Sequence, residues 1–109
     1  MSAKKEPEAV LALYRRAVQR RVFFPHYRLA HEAIDSLRAI GTDEAITALE
    51  EILRTMALWQ SKKFRAMKTH ALRSISKIHR EKAEEAMERV TRSPDRYLKT
   101  EAERLRRKA

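Results

Sequence analysis

The sequence predicts an all-α fold, a short α-solenoid of about six amphipathic helices stacked as antiparallel hairpins, and three observations predict it. Only one glycine and three prolines interrupt 109 residues. The remainder is rich in Ala, Leu, Arg, Glu and Lys, which lose little conformational freedom in a helix. Apolar residues recur at three- and four-residue steps along most of the chain, and a whole helix-turn-helix unit then returns after 38 residues. With 43% apolar residues the chain can bury one core, so a single domain over 1–109 is expected. Amphipathic period alone is equally compatible with a compact helical bundle, which stands as the structural alternative.

The first helix, Glu6 to Arg20 in a half-repeat spanning 6–21, places Ala9, Val10, Leu13 and Ala17 on one stripe. Phe23 and Phe24 follow, too apolar for a solvated link and expected to fold back onto the core. A repeat over 25–58 comes next. Its first helix starts at Pro25, carries Leu29, Ala30, Ala33, Ile34, Leu37 and Ile40, and stops at Gly41, the residue type suited to a helix C-terminus. Thr42 caps its second helix, Asp43 and Glu44 complement that helix's dipole, and Ala45, Ile46, Ala48, Leu49, Ile52, Leu53 and Met56 continue the stripe.

A turn from Ala57 to Ser61 holds Trp59. The repeat over 62–92 then supplies a fourth helix, Lys62 to Ile78, with Phe64, Met67, Ala71, Leu72 and Ile75 on one face. Its fifth helix, Arg80 to Arg92, has Ala83, Ala86, Met87 and Val90 inward. Ser93-Pro94 opens a sixth in a half-repeat over 94–108, with Leu98, Ala102 and Leu105 inward.

The 38-residue offset pairs Leu29 with Met67, Ala33 with Ala71, Ile34 with Leu72 and Leu37 with Ile75. Across the turn it pairs Ala45 with Ala83, Ala48 with Ala86, Leu49 with Met87 and Ile52 with Val90. The run from Ala33 to Leu49, with Ala33, Leu37, Ile40-Gly41, Glu44-Ala45 and Leu49 at its marked positions, resembles the bacterial HEAT-like repeat consensus. The second unit departs from that consensus, carrying His79-Arg80-Glu81 at its turn and Lys68 where the first has Ala30. The resemblance implies stacked helical pairs with a curved surface that binds partners.

Composition removes several functions. Without cysteine there is no disulfide, thiolate metal site or cysteine nucleophile, which fits a reducing compartment. A lone glycine excludes glycine-rich phosphate loops and dinucleotide fingerprints. The opening Met-Ser-Ala-Lys-Lys-Glu-Pro-Glu is charged where a signal peptide would be apolar, and no apolar run is long enough to span a bilayer. A cytoplasmic protein without membrane attachment is expected. His31 and Asp35 lie one turn apart, as metal ligands can, but the zinc-protease helix they mimic needs a second histidine at Asp35. No catalytic constellation, metal site or cofactor is expected.

The net charge of +10 favours polyanionic partners. From Arg54 to Arg80 every formal charge is positive, and Lys62, Arg65, Thr69, Arg73, Lys77 and Arg80 follow helical steps that predict one exposed ridge. Against this stands neutralisation by Glu50, Glu51, Glu84, Glu85 and Glu88 of neighbouring helices. Trp59, beside Lys62 and Lys63, is placed to stack on a base or anchor a partner. A second candidate surface is a groove near Glu44, Thr47, Glu51 and Arg54. These features predict a non-catalytic interaction module for a protein partner, with phosphate binding by the fourth-helix ridge as the alternative.

Overall fold

A computed structural model describes residues 6–17, 27–54 and 62–108. They form six helices and no strand: α1 (Glu6–Ala17), α2 (Tyr27–Ile40), α3 (Asp43–Arg54), α4 (Lys62–Ser76), α5 (Glu81–Thr91) and α6 (Arg96–Lys108). None is long and apolar enough to cross a membrane. Phe23, Phe24, Pro25, His26, Met56, Trp59 and Ser61 lie outside the described residues.

Punctuation acts at the first turn as the residue types dictate. Gly41 adopts φ +63°, a left-handed conformation that costs a side-chain-bearing residue strain. Its N–H donates to the Leu37 carbonyl at 3.0 Å, closing α2. The Thr42 hydroxyl then accepts from the Ala45 N–H at 3.2 Å and caps α3. Helix α6 begins later than Ser93-Pro94. Asp95 is its cap, its Oδ1 accepting from the N–H groups of Tyr97 at 3.0 Å and Leu98 at 3.2 Å, while Ser93 accepts from the Asp95 N–H. A carboxylate at a helix N-terminus satisfies two free amides and faces the positive end of the dipole, so it prevails over the serine.

Each helix packs against the next and the next but one, and no described pair further apart is in contact. That pattern is a two-layer stack, with α1, α3 and α5 in one layer and α2, α4 and α6 in the other, and it does not close into a ring. The Cα extents of 37 × 37 × 17 Å match a slab two helices thick. Ala30, Ala45, Ala71, Ala86 and Ala102 are fully buried, and their small side chains let helices approach while Ile34, Leu37, Ile46, Leu49, Ile52, Leu72 and Ile75 fill the space between.

Two predicted faces are corrected. In α1 the buried residues are Pro7 and Tyr14, with Val10 and Leu11 half-buried, whereas Ala9 is exposed and Leu13 is 58% exposed. Residues 9–14 are apolar almost all round the helix, so period cannot choose a face, and the larger Tyr14 side chain takes the core. Leu29 is 49% exposed although its repeat mate Met67 is fully buried. In its layer α4 lies between α2 and α6, whereas among the described residues α2 has a layer neighbour only on the α4 side.

Candidate functional site

Charge is sorted by layer. Helices α2, α4 and α6 carry thirteen Lys and Arg against four Asp and Glu, a net +9, while α1, α3 and α5 carry five against ten, a net −5. Bonds within each layer join one helix to the next. In the acidic layer Arg15 reaches Glu51 through two nitrogens at 2.7 and 2.9 Å, and Arg89 reaches Glu50 in the same way at 2.7 and 3.1 Å. Paired donors of this kind fix orientation as well as distance. Glu88 pairs with Arg92. The carboxylates expected to neutralise α4 are therefore largely engaged elsewhere.

The ridge itself is altered from the one predicted. Lys62 and Lys63 are exposed, as is Lys77 just past the helix end, and none pairs with a described carboxylate. Arg65 leans over the Tyr97 ring of α6, 5.6 Å from its centroid. Thr69 is buried, its hydroxyl donating to the Arg65 carbonyl at 2.9 Å beside the Tyr97 hydroxyl. Arg73 pairs with Glu101 at 3.2 Å, and Arg80 with Asp43 at 3.3 Å. Glu101 also binds Arg104, and these guanidinium groups, Arg104 foremost, hold its carboxyl below the usual carboxylate range despite desolvation. The exposed stripe thus runs from Lys62 and Lys63 through Ala66 and the half-buried His70 to Arg73 and Lys77, because α6 covers the Thr69 side of α4.

Lys68 belongs to the core and not to the ridge. It is 5% exposed, its ammonium 5.6 Å from the centre of the Phe64 ring. Burial pushes its pKa below the ordinary 10.5, with Asp95 opposing. The unfolded chain therefore holds this proton more tightly than the folded one. The penalty is full below the folded-state pKa and lifts as pH rises toward 10.5. Lys68→Met is expected to stabilise the fold at pH 7 by about 1 kcal/mol, with a smaller gain near the alkaline end. Urea unfolding at the two pH values measures this, and a loss of stability on substitution would show that Phe64 and Asp95 satisfy the charge.

The predicted groove divides in two. Glu44, Thr47 and Glu51 line a cavity of about 260 Å³ between α1 and α3 with Pro7, Glu8, Leu11 and Ala48. Arg54 faces a different depression, beside Glu50, Arg89, Pro94 and Leu98, and its Nε donates to the Glu50 carbonyl at 3.4 Å. Arg54 lies seven residues, about two turns, beyond Thr47 on the same stripe of α3, so the four residues share a helix face but line two separate depressions along it. Trp59 is outside the described residues.

The structure also joins residues that the sequence kept apart. Asp35 Oδ1 lies 2.7 Å from His70 Nε2, and His70 Nδ1 lies 2.7 Å from His31 Nδ1. Burial first, and His70 second, push the His31 pKa down, with Asp35 opposing. Among the described residues no group of three or more His, Asp or Glu is arranged to hold a metal ion. Compared with known proteins, the chain matches no family model, no curated protein and no solved structure.

Proposed function

We propose that this chain is a non-catalytic interaction module of HEAT-like stacked hairpins, cytoplasmic, that binds nucleic acid through its phosphate backbone. The observation that supports this reading most is the sorting of charge by layer, +9 on α2, α4 and α6 against −5 on α1, α3 and α5. A net charge spread evenly would be solvation. A basic layer backed by an acidic one concentrates positive potential on one side of the slab, where it steers and holds a polyanion. Arg38, Lys62, Lys63, Lys77, Arg96 and Lys99 of that layer are exposed and pair with no described carboxylate. Contacts of this sort position a backbone without reading sequence.

The test is fluorescence anisotropy with labelled single- and double-stranded DNA and RNA from about 50 to 200 mM salt. With about four phosphates neutralised, affinity is expected to fall roughly a hundred-fold over that range and to vary little with base sequence. Absence of binding at the lowest salt would retire the reading.

A protein partner is the second reading, and the cavity between α1 and α3 favours it. Its floor is Pro7, Leu11 and Ala48, and its rim is Glu8, Glu44 and Glu51. An apolar floor ringed by carboxylates suits a basic segment of a partner protein. Glu44→Lys separates the two readings, since it should weaken a lysine-rich peptide bound there and leave nucleic-acid affinity undiminished.

A further inference from the structure

Between α2 and α4, on the basic layer, lies a cavity of about 490 Å³ lined by His31, Asp35, Arg38, His70, Arg73 and Lys77, with Ala66 and Ser74 completing the wall. We propose that this cavity is a seat for a tetrahedral oxyanion of the phosphate kind, and that it holds the anion more tightly when the His31–His70 pair carries a proton beyond the one it shares. The inference deepens the basic-layer reading and rests on it for the kind of ligand.

The argument begins with proton inventory. A 2.7 Å contact between two Nδ1 atoms needs one proton between them, one ring donating and the other accepting. Asp35 holds the opposite nitrogen of His70 at 2.7 Å, which fixes that ring's orientation. With one shared proton the two imidazoles satisfy each other and present little to the cavity. A further proton goes to the free His31 Nε2, because both His70 nitrogens are engaged, and the Nδ1–Nδ1 hydrogen bond persists as one between an imidazolium and an imidazole. His31 then presents an Nε2–H and a positive charge to the cavity it lines, where an oxyanion accepts the hydrogen bond.

The surroundings select an anion. From α2 the charged neighbours are Asp35 and Arg38, from α4 Arg73, and just beyond its end Lys77. Helix α6 contributes Glu101 through Arg73. Helices α1, α3 and α5, also packed on this pair, place no charged side chain in the wall. Arg38 and Lys77 pair with no described carboxylate, and the single wall carboxylate is held by His70. Three cations around two imidazoles repel a metal ion and attract an oxyanion.

Sulfate is the probe, because its charge is constant across the histidine range. Its binding to the full chain is followed by NMR of the His31 and His70 ring resonances at pH 7.5 and 5.5. An added charge-assisted hydrogen bond should tighten sulfate about ten-fold at the lower pH. His31→Gln should abolish that pH dependence, and the double variant Arg38→Gln, Lys77→Gln should abolish binding at both. Equal affinity at the two pH values overturns the proposal, as does an equal loss in Lys99→Gln on α6, which would mark a diffuse ion atmosphere. Sulfate seated here with no nucleic-acid binding overturns the basic-layer reading alone. Nucleic-acid binding without a pH-dependent sulfate seat overturns this inference alone.

Discussion

Leu72→Ala is expected to remove about 2–5 kcal/mol of stability, the cost of deleting a fully buried leucine whose surroundings relax only in part. Leu72 is 0% exposed on α4, and α4 is one of the two helices, with α3, packed against four others. A void there loosens both layers at once. Domains of this size have about 5–15 kcal/mol in total, so the variant should unfold at much lower urea with an unchanged slope on denaturant. Leu13→Ala, at a residue 58% exposed, is the control and should change stability by no more than about 0.5 kcal/mol. A loss for Leu72→Ala no larger than the control's would mean that α4 is not the centre of the stack.

The second large effect is on binding. Reversing Lys62, Lys63 and Lys77 to Glu is expected to lower nucleic-acid affinity beyond detection near 100 mM salt and to flatten the salt dependence by about three units of slope. These three are chosen because no described carboxylate pairs with them. Reversal of Arg73 or Arg80 would instead leave Glu101 or Asp43 without its partner and confound binding with stability. Lys82→Glu, on α5 of the acidic layer, is the control and should leave the slope unchanged. Wild-type affinity in the triple variant would show that α4 is not where the polyanion lies.

Helix number and order were legible because each depends on residues within a turn or two, whereas α4 ends at Ser76, short of Ile78, and α6 starts at Arg96, past Ser93-Pro94. Gly41, Thr42 and the stripes of α3, α4 and α5 behave as their types and spacing require. The faces of α1 and the exposure of Leu29 were not, because they depend on which neighbour a helix has. The ridge was misread for the same reason. Periodicity shows that Thr69 is off the apolar stripe of α4 but not that Tyr97, 28 residues on, covers it.

A further signal lies in the sequence itself. The same-layer pairs Asp35–His70, Arg15–Glu51, Asp43–Arg80 and Glu50–Arg89 are separated by 35, 36, 37 and 39 residues, about one repeat. In a stack, residues one repeat apart become neighbours. Opposite charges at that spacing are therefore readable as rungs between repeats, and the same rule would have brought His31 to His70, 39 residues apart. The sorting of charge by layer was equally present in the sequence, needing only that alternate helices be grouped.

The packing of each helix with only the next two in the chain also governs how the molecule assembles and comes apart. Among the described residues no contact joins distant ends, so little loop-closure entropy has to be overcome and rapid folding is expected. A nucleus formed in either central hairpin can grow outward by adding one helix at a time. The same ladder makes cooperativity local. Helices α1 and α6 each rest on two neighbours and can peel away while α3 and α4 hold, so the slab frays from its two ends inward.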